Sequence, residues 1–546
     1  MASIMKIHQP LKICIILDSR LVNTASFELI NWFQQNLNLS VKYILLPANR
    51  NIELSGRSFF LLFYLKITKA VWATIKFIEN FYYQKSYSDN APHLIELTNE
   101  NCLLNMGQHS DFQKTFEAFS APDTDLSDID LMVALTLNPY CEILKKFPRL
   151  GLISFSNFDS KKNHCNPIGF DEVFCQQGKT GFSILRFLDK ESGADVLFRG
   201  AFPTHNYFLA NHFNILRRRN YYIKKYIASI LGGNYIENKT VERVHSLPMS
   251  TTTPGLLKQI IYICRLISKQ ITVLKNKILG KEVFWSVGFF HSDWTTFKMS
   301  DANIIENPKH CYLADPFVIR ENNKNYCLAE EYSMKTSKGA IVAYELGNQT
   351  AKRIGYALNE SFHMSFPYLF RYQEKIFMLP ETSENNDIRI YESEEFPIKW
   401  KLNQVLMKDV FAVDSMIFEH DSKWWLFSNI NPEGGPDACS ELYIFSTSNP
   451  LSGQWDPHIL NPVIVNSDKA RNGGILFKDG KTYRVSQKQN FGMYGAEFAV
   501  NEIIALNDSE FLEKEVFQVK PDFFSDASAT HHFHSNGNIT AFDFLD

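Results

Sequence analysis

Acidic side chains recur at fixed places in the second half of the chain. One segment runs from Asp315 to Glu330, a second from Phe366 to Glu381, and a third begins at Asp414. Carboxylates that face each other perturb each other's pKa, so one can be protonated while its neighbour is ionised. Acid/base chemistry at a glycosidic bond needs this arrangement. We therefore predict catalytic roles for Asp315, Glu381 and Asp414, with hydrogen bonds in turns or between packed elements as the alternative.

Further polar side chains fall beside the same segments. The predicted substrate-binding residues are Glu330, His363, Arg471, Gln487 and His531. Arg471 either clamps a phosphate or carboxylate with two hydrogen bonds or neutralises Asp414. His531, His532 and His534 resemble a metal-binding tract, but strand alternation would send His532 to the opposite face. We predict no metal and no cofactor.

The segments are copies of one repeat. They begin at residues 315, 366, 414, 472 and 531, and each has an apolar strand, a polar turn and a second strand. Such a unit is a hairpin, and the intervals leave room for two further strands. Four-stranded units repeated in this way predict a five-bladed β-propeller over residues 284–546.

The repeat also predicts which side chains meet. The innermost strands of a propeller line its axis, so the starts of the five copies should converge there. We expect Asp315, Glu381 and Asp414 in one cleft, with Arg471 and His531 on its rim. The column at the end of the second strand is read as Glu330, Glu381, Ser428, Gln487 and Asp543.

The first part of the chain has a different pattern. Short β-branched runs alternate with helical stretches, as in Ile13–Leu17, Ser26–Gln35 and Val41–Leu46. This alternation predicts an α/β domain over residues 1–204. Residues 205–283 read as a helical linker. Within it, apolar residues recur at helical spacing from Leu257 to Leu274 with lysines on other faces, which suits a packed connector or a helix touching a membrane through 255–280.

Composition narrows the class of protein. A length of 546 residues favours two or three domains, and a net charge of −3 gives no reason to expect nucleic-acid binding. The basic cluster Arg217–Arg219 is read as a solvated helix face. Nine Cys without CxxC pairs favour reduced thiols, and the first residues lack a secretion-signal pattern. We expect a cytoplasmic protein, with a peripheral position at the inner face of the membrane as an alternative.

Residues 310–506 resemble the propeller domain of glucosamine inositolphosphorylceramide transferases and their bacterial relatives. The matching stretches are Tyr312–Phe317, Met378–Ser383, Lys423–Phe427, Asn449–Trp455, Pro457 and His458 with Asn461 and Pro462, and Tyr494 with Gly495. That domain is similar to the five-bladed arabinanase, levansucrase and invertase superfamily, in which Asp315 would match the first-blade base or nucleophile. The plant transferases carry a separate glycosyltransferase domain after the propeller, which we do not find in this sequence.

The first domain resembles the formyltransferase fold. The resemblance rests on Gly151–Ser156, Asn166–Phe170, Thr180–Ile184 and Glu191–Gly193. Active members place an Asn, a His and an Asp where this sequence has Ser154, Ser156 and Glu191. A serine hydroxyl is too weak a proton acceptor to replace imidazole, so we expect formyl transfer to be lost unless His164 acts as a relocated base.

These resemblances imply a carbohydrate-active protein. The first expectation is a glycosyltransferase that uses a nucleotide-sugar donor and a glycan or glycolipid acceptor in surface-glycan or glycolipid biosynthesis. The alternatives are a propeller-type glycoside hydrolase, a non-catalytic glycan-binding scaffold and, last, a sugar N-formyltransferase. The donor, the acceptor and the stereochemical outcome are left open.

Overall fold

The structure is a computed structural model, and it divides the chain into two compact units. It describes residues 10–17, 21–45, 59–86, 94–96, 128–135, 147–157, 166–189, 193–233, 241–242, 253–279, 284–296, 298–433 and 437–546. The first unit comprises Met1–Gly200 and Thr204–Lys275, and the second comprises Ala201–Pro203 and Asn276–Asp546.

The first unit is built on a mixed sheet. Its strands are β1 (Leu11–Leu17), β2 (Leu21–Asn23), β3 (Leu39–Leu45), β4 (Leu94–Glu96), β5 (Leu131–Ala134), β6 (Leu152–Asn157), β7 (Lys179–Phe187), β8 (Ala194–Pro203) and β9 (Val241–Glu242). Seven of them form one sheet in the order β3-β1-β5-β6-β7-β8-β9, and β2 pairs with β4. The β1, β3, β5 and β6 strands pair in parallel, whereas β7 joins β6 antiparallel. The expected α/β region is therefore confirmed.

Helices accompany this sheet. They are α1 (Thr24–Gln35), α2 (Phe59–Ser86), α3 (Phe170–Phe174), α4 (Phe208–Leu231) and α5 (Leu256–Ile278). The α1 helix starts after Asn23, whose side-chain oxygen accepts a hydrogen bond from Ser26 N at 2.8 Å. Among the described residues, no helix combines the length and apolar character needed to span a bilayer.

Two sequence-based expectations for this unit need correction. Residues 205–283 do not form a separate linker, because α4 and most of α5 belong to the first compact unit. The α4 helix buries an apolar face against the sheet, where Tyr222 stacks on Phe198. Within the basic cluster, Arg218 and Arg219 are buried rather than solvated. Arg219 donates to Ser26 Oγ at 3.1 Å, and burial lowers its pKa to about 10.

The formyltransferase-like assignment stays a prediction. Ser154 and Ser156 are both buried on β6, paired with Leu185 and Ser183 of β7. Glu191 and His164, the other two residues of that argument, lie outside the described residues.

The second unit is a five-bladed β-propeller, as predicted. Its strands are β10 (Trp285–Phe290), β11 (Asn303–Ile305), β12 (Cys311–Glu321), β13 (Lys324–Ser333), β14 (Lys338–Leu346), β15 (Ala351–Leu358), β16 (Ser365–Tyr372), β17 (Lys375–Glu381), β18 (Asp387–Glu395), β19 (Lys399–Lys408), β20 (Ala412–His420), β21 (Lys423–Ile430), β22 (Glu441–Thr447), β23 (Asp456–Pro457), β24 (Ile464–Val465), β25 (Asn472–Lys478), β26 (Lys481–Asn490), β27 (Met493–Asn507), β28 (Glu510–Val519), β29 (Phe533–Ser535) and β30 (Thr540–Leu545). Blades one, two and four are β12–β15, β16–β19 and β25–β28, and blade three is β20–β23 with β24 paired to β22.

The fifth blade closes the ring. Its order is β11-β10-β30-β29, so the last hairpin of the chain is completed by strands from residues 285–305. The pairing of β10 with β30 is antiparallel and runs from Trp285 opposite Leu545 to Phe290 opposite Thr540. The degenerate fifth repeat therefore has a complete four-stranded blade, with its two outer strands supplied from the beginning of the propeller.

Candidate active site

The pairing is irregular at the start of the inner strand in four blades, and three of these β-bulges share one pattern. The pairing of inner strands slips between Ala314 and Phe317, between Ser365 and Tyr368, and between Val413 and Met416. In each bulge the first repeat residue has a positive φ: 51° at Asp315, 45° at Phe366 and 45° at Asp414. Bulges re-aim side chains and amides, and Asp tolerates this left-handed conformation better than most residues.

The carboxylate of Asp315 lies at the centre of the site. Its Oδ1 is 3.1 Å from Nε2 of His531, and its Oδ2 accepts a hydrogen bond from the Phe366 amide at 3.3 Å. Burial alone would raise the pKa of Asp315, but the hydrogen bond and charge of His531, with smaller contributions from His532 and Arg471, lower it. Asp315 therefore favours its ionised form.

Asp543 anchors this centre from the fifth blade. Its carboxylate accepts hydrogen bonds from the amides of Asp315 at 3.1 Å, His531 at 3.1 Å and His532 at 3.0 Å. Burial raises the pKa of Asp543 to about 6. Although burial would lower the pKa of His531, Asp543 and Asp315 together raise it. The imidazole is thus held by two carboxylates and favours its charged form.

The same three residues have metal-ligand chemistry. One ligand atom each from Asp315, His531 and Asp543 all lie within 4.8 Å of one another. A proton on a ring nitrogen of His531 would occupy the lone pair that a metal ion needs, so proton and metal would compete for this site. The prediction of no metal stays a prediction.

Arg471 links two other predicted catalytic residues. Its Nε forms a short hydrogen bond to Asp414 Oδ2, and its Nη2 is 3.7 Å from Glu381 Oε2. Gln487 donates to the same Asp414 oxygen at 3.0 Å, and Ser383 donates to Glu381 Oε1 at 2.7 Å. Burial raises the pKa of Asp414 to about 8, with Glu381 and Asp315 adding to it and Arg471 opposing. The guanidinium therefore bridges blades two and three.

Glu330 is a buried carboxyl that favours its neutral form. Burial raises its pKa well above the usual range, and the nearby negative charges of Asp315 and Glu381 raise it further. His363 Nε2 lies 3.6 Å from Glu330 Oε1, and the Gly339 amide donates to His363 Nδ1 at 2.9 Å. Because Nδ1 accepts that hydrogen bond, the proton of the neutral imidazole sits on Nε2, facing Glu330. Burial lowers the pKa of His363, which keeps this ring neutral.

The predicted site residues therefore come together. Asp315, Glu330, Glu381 and Asp414 lie close enough for their charges to act on one another. Arg471 and His531 were expected on the rim, but both are buried in the cluster, with their side chains only 11% and 4% exposed. His363 is more open, at 29%.

Two details of the repeat alignment were wrong. Glu330 and Glu381 lie opposite Ala314 and Ser365 of the inner strands of their blades. The corresponding pair in blade three is Asn429 opposite Val413. Asn429 rather than Ser428 therefore occupies the position at the end of the second strand. Asn429 accepts a hydrogen bond from the Asn472 amide at 2.8 Å and so joins blades three and four. His532 does not face away from the site, because it precedes β29 and strand alternation has not begun. Its Nδ1 lies 3.8 Å from Asp315 Oδ1.

Tyr494 and Asp543 are site residues that the predicted set left out. The Tyr494 ring lies under the Arg471 guanidinium at 5.4 Å and beside the His531 ring at 5.3 Å, and it is 43% exposed. An exposed aromatic face beside charged groups is a surface on which a sugar ring can pack. Asp543 appeared in the repeat columns, and Tyr494 in a matching stretch, so both signals were present in the sequence.

Comparison with known proteins agrees with the propeller resemblance. Residues 284–531 match the family model described as glucosamine inositolphosphorylceramide transferase 1, N-terminal. The glucosamine inositolphosphorylceramide transferase 1 of Oryza sativa subsp. japonica is 36% identical over 211 residues, which is 38% of this chain and 28% of the relative. The Arabidopsis thaliana protein of the same name is 37% identical over 210 residues, covering 38% and 27%.

Among solved structures, the family 117 glycoside hydrolase Zg3597 of Zobellia galactanivorans aligns with 48% of this chain and 91% of its own, at 13% identity and a TM-score of 0.32. The chain spans little more than a quarter of the length of the curated transferases. The matched region holds Asp315, Glu330, Glu381, Asp414 and Arg471, and it ends at His531. This chain thus carries, over residues 284–531, a propeller similar to the N-terminal part of the glucosamine inositolphosphorylceramide transferases.

Proposed function

We propose that the propeller transfers a sugar from a nucleotide-sugar donor to a glycan or glycolipid acceptor. The observation that carries this proposal is one buried cluster of carboxyl groups in two different environments. His531 Nε2 lies 3.1 Å from Asp315 Oδ1 and lowers the pKa of Asp315, whereas burial raises the pKa of Glu330. Groups whose environments drive their pKa values apart are suited to act as base and acid. The matching proteins are named glucosamine inositolphosphorylceramide transferase 1, and the ceramide in this name supports a glycolipid acceptor.

The residues divide the work as follows. Asp315 takes the proton of an acceptor hydroxyl while the hydroxyl oxygen forms a bond to the anomeric carbon of the donor sugar. The bond from that carbon to the donor phosphate breaks, and its electron pair leaves with the diphosphate. The positive charge of Arg471, held by Asp414 and Glu381, faces the departing phosphate, and Tyr494 supports the sugar ring. Glu330 donates a proton or hydrogen bond to a sugar or phosphate oxygen.

A glycoside hydrolase is the second candidate. Paired neutral and ionised carboxyl groups also cleave glycosidic bonds when water replaces the acceptor. A binding scaffold would use the same polar groups and Tyr494 without turnover. A cytoplasmic site of action remains a proposal, as does the loss of N-formyl transfer from the first unit.

The deciding experiment offers the purified full chain a panel of nucleotide sugars, with and without a lipid-linked acceptor. A ligand at about a hundred times its Kd stabilises the fold by roughly 2.7 kcal/mol, so thermal shift identifies the donor first. Mass spectrometry then identifies the product. We expect glycosylated acceptor, and release of free sugar from oligosaccharides in the absence of any donor would support the hydrolase instead.

Conservative variants test the assigned residues. Asp315→Asn and Glu381→Gln should each lower turnover by roughly 10²–10⁴-fold while the circular dichroism spectrum stays unchanged, because they remove charge without changing shape. Asp421→Asn is the matched control, since its side chain is 88% exposed. Stabilisation by a nucleotide sugar without any product would leave the scaffold as the answer.

A further inference from the structure

The α5 helix presents a continuous apolar stripe to solvent. The stripe consists of Leu257, Ile260, Ile261, Cys264, Ile267, Ile271, Leu274 and Ile278. Leu257 is 70% exposed, Ile271 60% and Ile278 75%. Successive members are one, three or four residues apart, so they share one side of the helix. An exposed apolar surface of this extent marks a site of interaction.

The other side of α5 is packed against its own unit. Gln259 and Tyr262 are fully buried. Gln259 Nε2 donates to Thr68 O of α2 at 3.0 Å, so the two helices touch. The Tyr262 ring packs on Phe170, with ring centroids 5.5 Å apart. The stripe therefore lies on the side of α5 opposite to the side that packs against the first unit.

The α2 helix repeats this arrangement. It buries Trp72 and Ile75, and the Trp72 ring packs on Phe170 at 5.4 Å, the same ring that Tyr262 contacts. It exposes Phe77 at 76% and Ile78 at 47%. Both helices bury one side against Phe170. Their exposed apolar residues therefore lie on the sides that point away from this ring.

Charge on these two helices is almost all positive. Their basic residues are Lys66, Lys69, Lys76, Lys85, Lys258, Arg265, Lys269, Lys275 and Lys277. Their one acidic residue is Glu79, which is buried and accepts hydrogen bonds from Leu209 N at 2.8 Å and from Tyr262. Burial raises its pKa, which favours the neutral form. Lys258 pairs with Asp171 at 3.3 Å and is not counted as part of the surface.

We propose that the outer sides of α2 and α5 dock on an anionic bilayer surface. Apolar side chains enter the boundary between headgroups and acyl chains, while flanking lysines meet acidic headgroups. A second copy of the chain fits less well, because it would bring the same positive charges against these ones. This inference concerns the first unit and does not depend on the chemistry proposed for the propeller.

Vesicle flotation of the full chain tests the proposal. We expect the protein to float with vesicles of equal parts phosphatidylcholine and phosphatidylglycerol, and not with phosphatidylcholine alone. Salt should weaken the binding, since screening acts on the lysines. The double variant Ile267→Asp with Ile271→Asp should lose binding by roughly ten-fold or more. Ile504→Asp, at a propeller position 50% exposed, is the control and should float like the wild type.

The charge component has its own test. Lys66→Glu combined with Lys69→Glu and Lys76→Glu should abolish the preference for anionic vesicles. Failure of the wild type to float at low salt would overturn the proposal. Light scattering that shows a dimer, dissociated by Ile267→Asp with Ile271→Asp, would also overturn it and assign the surface to a second copy.

Discussion

At the scale of single residues, the site shows how one buried cluster can hold like-charged groups. Asp315 has a histidine and an amide as donors, whereas the donor facing Glu330 among the described residues is a neutral imidazole 3.6 Å away. The donors decide which carboxyl ionises, because burial acts on both in the same direction. A carboxyl group that is buried without donors or positive charges to replace its lost hydration keeps its proton.

This difference predicts a pH dependence of stability for Glu330→Gln. The pKa of Glu330 is raised well above its ordinary value of 4.5, so the folded state keeps a proton that the unfolded chain releases. That contribution is complete below the ordinary pKa and is lost as pH rises through the folded-state pKa. Glu330→Gln should therefore raise the melting temperature more at pH 8.5 than at pH 5, by roughly 2–4 °C for each kcal/mol regained.

The control for this comparison is Glu510→Gln, at an exposed position of β28. Both proteins are followed by calorimetry across the same pH series. An equal shift of the two variants at every pH would mean that Glu330 is ionised in the folded state.

Much of the site could be predicted from residues because the repeat places them in columns. Asp315, Glu381 and Asp414 were found in this way, since a carboxylate at a recurrent position stands out. The fifth repeat is degenerate, so Asp543 was placed in a repeat column but was not predicted as a site residue. His532 was misplaced because strand alternation was applied to a residue that precedes its strand.

At the scale of secondary-structure elements, the bulges join neighbouring blades. The backbone amide of Phe366 in blade two donates to Asp315 of blade one. The backbone amide of Asp315 in turn donates to Asp543 of blade five, the next blade around the ring. The hairpins could be predicted from period-two patterning and polar turns. The bulges could not, because a positive φ at Asp or Phe leaves no mark on residue type comparable to a glycine.

The contact between β14 and the site predicts the effect of Gly339→Ala. A Cβ there would lie 2.5 Å from Glu330 Oε1 and 2.5 Å from the Met364 carbonyl oxygen. Because the second of these is backbone, the strand must move. We expect a loss of about 1–3 kcal/mol in the free energy of unfolding, measured by urea denaturation. Gly355→Ala in β15 is the control, since its nearest atom is 3.9 Å away. Equal stabilities for the two variants would contradict this packing.

At the scale of the whole propeller, stability depends on the blade shared by both ends. The β10 strand closes the ring against β30, and the Trp285 ring of β10 lies 4.2 Å from the His531 ring. Closure and site assembly are therefore coupled through one strand. The number of blades followed from the repeat count, whereas the exchange of strands in the last blade did not, because residues 285–305 carry no copy of the repeat.

Phe542→Ala tests this coupling. Phe542 is fully buried in β30, against Phe290 of β10. Its truncation should cost about 3–5 kcal/mol and lower the propeller's melting temperature by roughly 10 °C. Phe477→Ala, at a position 54% exposed, should change it little. Tryptophan fluorescence follows the unfolding. An unchanged midpoint for Phe542→Ala would show that the ring holds without this contact.

Ring closure also sets the response of the propeller to force. The Asp546 amide donates to the Phe284 carbonyl oxygen at 3.1 Å, so the two ends of the ring lie side by side. A pull that separates them loads the β10–β30 ladder from one end, and its hydrogen bonds break one after another instead of sharing the load. The propeller is thus mechanically weak along the line that joins its ends, even though each blade is well packed.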